Sequence, residues 1–307
     1  MILLVFALFA LFALAFPLGS MAVTYTTPAF AVGLRMLCSG LLMLAWHGFR
    51  HGTIKLKRKD IPALFLLAFL GIYVTNVLEL WSLQHMSAAK TCFIYSLSPF
   101  ITALVSYGAF SERLRKRQWI GIIIGIFGFV PALLWNTKAE LSAVGFLSWP
   151  ELAMLGASTA TVLGWIGMKK LTQASRKASP GRPKLGVSPI LANGYAMTIG
   201  GAIALGHTHF FGVSTGPLIT SWWPFIKIML AMALISNFIC YNLYGYLLRR
   251  YSATFMALAG LSTPLFAALF GWLMLGEAVS WSFWSSVALV SGGLLLFHLG
   301  GNDKNLA

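Results

Sequence analysis

SAAKTCFIYSLSPFITALVSYGAFSERLRKRQW, residues 87–119, and SATFMALAGLSTPLFAALFGWLMLGEAVSWSFW, residues 252–284, are two versions of one stretch of sequence. A shift of 165 residues aligns them without a gap. The shift pairs Pro99 with Pro264, each of which follows a hydroxyl residue, and each copy has a Glu seven residues before a Trp. These matches indicate that the chain is an internal duplication.

The composition predicts an integral membrane protein. Of the 307 residues, 58% are hydrophobic and only 9% are charged, whereas a soluble globular protein carries about 25% charged residues. Residues 1–34 and 185–226 contain no Asp, Glu, Lys or Arg. Because a bilayer span needs roughly 20 apolar residues, each of these stretches is long enough for two crossings.

The net charge of +15 does not indicate nucleic-acid binding. The Lys and Arg residues occur in short clusters between apolar runs, which is how membrane proteins place them. The three cysteines fall inside apolar runs and give no sign of a disulfide framework. The apolar N-terminus lacks a basic region before it and is interpreted as a first span rather than a signal peptide.

Turn residues and charge clusters divide the chain into ten predicted helices. They cover residues 1–23, 29–49, 61–83, 87–110, 118–136, 149–171, 188–208, 222–247, 252–275 and 281–300. Eighteen Lys and Arg residues lie in the loops after even-numbered spans or in the tail, and Lys138 alone lies in the other loops. By the positive-inside rule, both termini are predicted to be cytoplasmic.

The duplication predicts two inverted five-helix repeats, residues 1–140 and 141–307, within one compact membrane domain. Each half has an odd number of spans, so equivalent helices cross the membrane in opposite directions. Inverted repeats are typical of secondary transporters, in which exchange of conformation between the repeats gives alternating access. The alternative is that the duplication serves folding only.

Pro99 and Pro264 are predicted hinges. Both are expected in the middle of a span, where proline removes a backbone hydrogen bond. The hydroxyl groups of Ser98 and Thr263 are expected to satisfy the freed carbonyls. The alternative is a static kink.

The chain resembles the EamA-type domain of the drug/metabolite transporter superfamily, present twice. The matching features are Ser-Ala near the start of spans 4 and 9, the mid-span proline, the Glu at their ends and the Trp that opens spans 5 and 10. GIIIGIFGFV, residues 121–130, and ALVSGGLLLF, residues 288–297, are similar to the glycine-bearing helices that close each half. Phe16-Pro17-Leu18-Gly19 stands where the family usually has Trp-Gly. The resemblance implies ten helices around a central cavity and transport of small organic solutes.

Polar residues inside an apolar span are costly, and they are therefore functional candidates. Tyr73, Asn76 and Glu79 are spaced three residues apart in span 3, so they share roughly one helix face. We interpret Glu79 as a partner for a cationic substrate group or a proton. The alternative is a structural ion pair between Glu79 and Arg35 or Lys90.

Span 8 carries an equivalent face. The 165-residue shift pairs Asn76 with Tyr241 and Glu79 with Tyr244, and Asn237 lies on the same side of span 8. Both faces are predicted to line one cavity. A hydrogen bond between helices is an equally good interpretation of Asn237.

Arg35 is the cationic candidate for a substrate carboxylate or phosphate, because its planar guanidinium matches both groups. Its alternatives are an ion pair with Glu79 and an interfacial position. Lys90 and Lys227 are each interpreted as lysines whose ammonium groups extend to the membrane interface.

Three aromatic residues, Tyr95, Trp165 and Phe16, are candidates to stack on a ring or a cation. Packing between helices is the alternative for each of them. His207-Thr208-His209 lacks a nearby Cys or carboxylate, so no metal site is predicted.

The sequence predicts a secondary transporter in a bacterial inner membrane. The substrate expected from the charges and aromatics is an amino acid or a cationic or zwitterionic derivative, with S-adenosylmethionine as one candidate. The alternatives are a transporter of a nucleotide sugar, sugar phosphate or lipid-linked sugar, and a non-transporting scaffold or receptor. No enzymatic activity, cofactor or nucleic-acid partner is expected. Coupling to a proton or a counter-substrate stays open.

Overall fold

The computed structural model is helical. It describes residues 2–51, 58–98, 100–101, 104–105, 115–133, 143–144, 147–173, 187–211, 219–240, 243–244, 247, 259–260, 262–278 and 280–301. The helices are α1 (Ile2–Ala22), α2 (Pro28–His51), α3 (Arg58–Leu83), α4 (Ala88–Tyr95), α5 (Lys116–Leu133), α6 (Trp149–Gln173), α7 (Pro189–Phe211), α8 (Trp222–Cys240), α9 (Thr263–Leu275) and α10 (Trp281–Gly301). A short antiparallel hairpin of Ala143–Val144 and Leu147–Ser148 precedes α6.

The surface of these helices suits lipid rather than water. Within the described residues, four segments are long and apolar enough to cross a bilayer: Leu3–Ala22, Pro28–Arg50, Arg58–Leu83 and Trp222–Cys240. Large apolar side chains such as Leu42, Phe127 and Trp272 are at least 60% exposed. Lipid tails can cover such side chains without cost, whereas a soluble monomer rarely exposes so many. The chain is therefore a multi-pass membrane protein.

The helices form two compact units. The first unit comprises Met1–Ser20, Ser82–Thr159 and Tyr246–Ala307, and the second comprises Met21–Trp81 and Ala160–Gly245. Each unit therefore combines segments from both halves of the sequence.

In the second unit, α2 and α7 pack closely and run antiparallel. Gly33 lies against Leu205 and Gly40 against Thr198, so residue numbers rise along one helix as they fall along the other. A Cβ atom on Gly40 would lie 2.5 Å from the backbone nitrogen of Thr198 and 2.7 Å from the carbonyl oxygen of Gly194. Small residues permit this close approach of two backbones.

In the first unit, α5 and α10 pack in the same way. A Cβ atom on Gly121 would lie 2.5 Å from the carbonyl oxygen of Gly293, and one on Gly128 would lie 2.6 Å from the Cβ of Leu289. These two helices are also antiparallel.

Helices α3 and α8 each contain a π-helical segment, Leu67–Val74 and Ala233–Cys240. A shift of 165 residues takes the first segment to residues 232–239, within one residue of the second. Where α3 returns to α-helix, the Thr75 hydroxyl donates to the Leu70 carbonyl at 2.8 Å. π-Helical segments often occur at functional sites, and the one in α3 immediately precedes Asn76 and Glu79.

Helix α4 ends and helix α9 begins beside turn residues that the 165-residue shift makes equivalent, Leu97 and Ser262. The chain turns after Tyr95, and the Ser98 hydroxyl donates to the Tyr95 carbonyl. In the second copy, the Thr263 hydroxyl donates to the Gly260 carbonyl at 2.6 Å. Both hydroxyl groups therefore satisfy carbonyls as predicted.

Pro264 is the second residue of α9, and this position corrects the expectation that it removes a backbone hydrogen bond within a helix. The first N–H groups of a helix have no acceptor within that helix, so a proline there removes no helical hydrogen bond. Pro99 lies outside the described residues.

Candidate functional site

Arg35 of α2 is buried inside the second unit and is oriented by its neighbours. Its Nη2 donates to Asn76 Oδ1 at 2.7 Å, and its Nη1 lies 3.9 Å from the sulfur of Met232. The Asn76 amide is held in turn, because Nδ2 donates to the Ile72 carbonyl at 2.8 Å. Asn76 therefore positions the guanidinium.

Glu79 lies on α3 three residues beyond Asn76 and is half-buried. The charge of Arg35 acts on its carboxylate. Among the described residues, none donates a hydrogen bond to that carboxylate. A carboxylate in an apolar span is expensive unless a positive charge or a proton compensates it. Arg35 supplies a positive charge that acts on Glu79.

Tyr73 of α3 pairs with a histidine on another helix, His207. Its hydroxyl lies 2.8 Å from Nδ1 of His207 on α7. The His207 ring also contacts Phe211 edge-on, with centroids 5.7 Å apart. The described residues contain no group of three or more potential metal ligands, and His207 instead links α7 to α3. The only sequence signal for it was a histidine near the end of an apolar helix.

Two aromatic pairs bring together four of the predicted residues. In the second unit, Trp165 and Tyr244 have ring centroids 6.4 Å apart, and Trp165 is 43% exposed. In the first unit, Phe16 and Tyr95 form an edge-to-face pair at 6.2 Å. Tyr241 lies outside the described residues.

Asn237 joins α8 to α2. Its Nδ2 donates to Ser39 Oγ at 2.9 Å and lies 3.6 Å from the sulfur of Met36. The side chain is 1% exposed. This geometry corresponds to the alternative of a hydrogen bond between helices.

The prediction that Lys90 extends to the membrane interface is wrong. Its ammonium lies 2.8 Å from Oε1 of Glu151, and both side chains are only 2% exposed. The second oxygen of Glu151 accepts a hydrogen bond from the backbone N–H of Ser148 at 2.7 Å. Folding places Glu151, in the first turn of α6, beside the first turn of α4, and the buried ammonium is paired there. Lys227, by contrast, is exposed and lies 4.8 Å above the Trp223 ring.

Glu277, which follows the end of α9, caps the start of α4. Its carboxylate accepts hydrogen bonds from the backbone N–H groups of Ala88 at 2.8 Å and Ala89 at 3.4 Å. Burial raises the pKa of Glu277, and these two hydrogen bonds lower it by a smaller amount. The contact ties two equivalent helices of the first unit together.

Comparison with known proteins identifies the relatives of this chain. The model of the EamA-like transporter family matches residues 1–134 and 148–299. A Chlamydia muridarum protein named S-adenosylmethionine/S-adenosylhomocysteine transporter is 33% identical over 285 residues, which cover 92% of this chain and 87% of that protein. A protein of the same name from Chlamydia trachomatis serovar L2 is also 33% identical, with 92% and 84% coverage. A solved crystal structure matches 95% of this chain and 94% of its own with a TM-score of 0.65 and 16% identity, a likeness in fold alone.

Proposed function

Because the chain belongs to the EamA-like transporter family, we propose that it carries S-adenosylmethionine and S-adenosylhomocysteine across a bacterial inner membrane. The names and the 33% identity of the chlamydial relatives support this substrate class. The shared chemistry is that of an amino-acid derivative that bears an adenine ring.

The main support from the site is that its charges and aromatic rings match the groups of the proposed substrate. The second unit holds two opposite charges, Arg35 and Glu79, together with the aromatic pair Trp165 and Tyr244. S-Adenosylmethionine has a carboxylate for the guanidinium, cationic groups for the carboxylate and an adenine ring for an aromatic contact. Rings and cations both bind aromatic faces favourably.

The rival substrates fit the described residues less well. A nucleotide sugar or sugar phosphate needs several cations around its phosphates. Lys90 is already paired with Glu151, and Lys227 is exposed on α8. Arg35 alone is thus a weak phosphate site, and its partner Glu79 would repel a phosphate.

Two inverted repeats that alternate between conformations are the proposed transport mechanism. The antiparallel packing of α2 with α7 and of α5 with α10 supports it, because equivalent helices of inverted repeats point in opposite directions. The paired π-helical segments and the paired turns before Pro99 and Pro264 support it further.

These two turns are the proposed hinges. We expect Pro99→Ala and Pro264→Ala to slow exchange while ligand affinity stays within a few-fold, and unchanged exchange in both variants would contradict the hinges.

Ligand-dependent melting of the purified chain tests the substrate class. A ligand that binds the folded state raises its apparent stability by mass action. We expect S-adenosylmethionine and S-adenosylhomocysteine to raise the melting temperature, and sugar phosphates and nucleotide sugars to leave it unchanged. Uptake of radiolabelled S-adenosylmethionine into proteoliposomes then separates a transporter from a scaffold or receptor.

The ligand affinities of two variants test whether the ligand binds beside Trp165. Trp165→Ala is expected to lower the affinity for both adenosyl ligands, whereas Lys227→Gln, which changes an exposed cation on α8, is expected to leave it unchanged. Melting that responds to sugar phosphates instead of the adenosyl compounds would refute the proposed substrate class.

Cysteine labelling tests the proposed orientation. Reagents applied from outside are expected to reach Lys138→Cys and Thr215→Cys but not Lys57→Cys or Lys177→Cys. All four positions lie outside the described residues, and labelling at position 57 from outside would contradict cytoplasmic termini.

A further inference from the structure

We propose that the buried ion pair between Lys90 and Glu151 is a latch that closes the outer end of the carrier and breaks each time that end opens. The inference rests on the proposed alternating access, and its test needs no substrate. It starts from four helix ends that meet in the first unit.

The four ends meet through polar contacts. The Lys90 ammonium in the first turn of α4 lies 2.8 Å from Oε1 of Glu151 in the first turn of α6. The Ser82 hydroxyl at the end of α3 donates to the Pro150 carbonyl at 3.0 Å. The Glu277 carboxylate, which follows α9, accepts hydrogen bonds from the first N–H groups of α4. These five residues, all in the first unit, are called the outer cluster below.

The charge pattern of the sequence places the outer cluster on one side of the membrane. With both termini cytoplasmic, α3 and α9 end outside, and α4 and α6 begin outside. The orientation follows from the loops, whereas the contacts follow from packing. Their agreement supports an outer position for the cluster.

Helix α6 begins in the first unit and ends in the second, with the division after Thr159. In the second unit its later turns pack tightly on α3. A Cβ atom on Gly164 would lie 2.5 Å from the Cα of Gly71, and one on Gly167 would lie 2.6 Å from the carbonyl oxygen of Ala63. The outer cluster holds the first turn of α6, so a displacement of α3 with these later turns acts on the ion pair.

An ion pair suits a contact that must break and reform. Both side chains are only 2% exposed, although each lies at a helix end that water can reach once the ends separate. In the closed arrangement the two charges compensate each other, and in the open arrangement water solvates both. Hydration offsets much of the lost attraction, whereas an apolar contact in the same place resists wetting.

Two variants are expected to shift the latch in opposite directions. Lys90→Met leaves the Glu151 carboxylate buried without its ammonium when the end is closed, and opening hydrates it, so the open state gains population. Lys90→Met/Glu151→Gln removes both charges, and opening then exposes the Met side chain to water. Exposure of such a side chain lowers the open population about 10- to 100-fold.

Thiol labelling at position 82 measures the opening. The Ser82 side chain is 0% exposed and bonds to the residue before Glu151, so Ser82→Cys reports on the cluster. A membrane-impermeant maleimide is applied to spheroplasts that express the full chain, and peptide mass spectrometry gives the rate at each cysteine. Relative to Ser82→Cys alone, we expect labelling at least about 10-fold faster with Lys90→Met and about 10- to 100-fold slower with Lys90→Met/Glu151→Gln.

Two controls separate opening of the latch from other effects. Cys240 is 0% exposed in α8 of the second unit, and unfolding would expose it together with position 82. We expect its labelling rate to be the same in all proteins. Lys227→Met removes a lysine outside the cluster and is expected to leave the labelling of position 82 unchanged.

Several results would overturn the latch. They are equal labelling of position 82 in all proteins, faster labelling in both variants, no labelling from outside, and a rise at Cys240 that matches the rise at position 82. If Lys90→Met does not fold, the double variant decides alone. The melting experiments with adenosyl ligands test the proposed substrate separately, so either proposal can fail while the other stands.

Discussion

The buried ion pair between Lys90 and Glu151 gives the sharpest stability prediction. Lys90→Met leaves the Glu151 carboxylate 2% exposed and without the ammonium that lies 2.8 Å away. Breaking a buried pair by removing one partner costs about 3–5 kcal/mol. The hydrogen bond from the backbone N–H of Ser148 to the other oxygen survives, so we expect a loss near the lower end, about 3 kcal/mol in the free energy of unfolding.

The double variant Lys90→Met/Glu151→Gln is the critical comparison. It leaves no unpaired charge in the interior, and the Gln side chain can still accept the hydrogen bond from the backbone N–H of Ser148. Replacing both members of a buried pair is often neutral, so we expect it to lie within about 1 kcal/mol of the unaltered protein. Equilibrium unfolding in mixed detergent micelles compares the unaltered protein, Lys90→Met, Glu151→Gln and the double variant.

Lys227→Met is the matched control, because it removes an exposed cation above Trp223 and should cost at most about 1 kcal/mol. If the losses of Lys90→Met and Glu151→Gln simply add in the double variant, the reasoning from a coupled buried pair is wrong.

Three further predictions concern other contacts. The raised pKa of Glu277 means that the folded protein binds this proton more tightly than the unfolded chain does. We therefore expect the free energy of unfolding to fall as the pH rises from the usual carboxyl range through that pKa. Glu277→Gln should flatten this part of a pH series of melts. Tyr73→Phe removes the hydrogen bond to His207 and should cost about 0.5–1.5 kcal/mol in unfolding experiments, while a larger loss would indicate a wider network. Gly40→Ala forces a Cβ against backbone atoms of α7 and should lower the free energy of unfolding by about 1–3 kcal/mol. Gly206→Ala is the control, because nothing lies within 4 Å of the added Cβ. It should be neutral or stabilising in the same measurement.

Much of the candidate site was visible in the sequence because membrane spans carry few polar residues. Each polar residue in an apolar helix therefore stands out as a candidate. Arg35, Asn76 and Glu79 were found in this way, and the structure joins the first two directly. Trp165 and Tyr244 were separate candidates, and the structure makes them a pair.

The partners of these residues could not be predicted in the same way. A helical period shows which side chains share a face, but it does not show which other helix that face meets. His207 contacts Tyr73 across 134 residues of chain, and Glu151 reaches Lys90 across 61. Neither pairing leaves a local pattern, so Lys90 was misplaced at the interface.

The sequence by itself determined the membrane environment and the family and predicted the duplication, because composition, charge clusters and a 165-residue shift are properties of the chain alone. The tertiary structure decided which charges are compensated. It paired Lys90 with Glu151, bonded Arg35 to Asn76 and brought the charge of Arg35 to act on Glu79. The physical reason is that the cost of a charge in an apolar medium depends on atoms within a few ångströms, and packing between distant segments chooses those atoms.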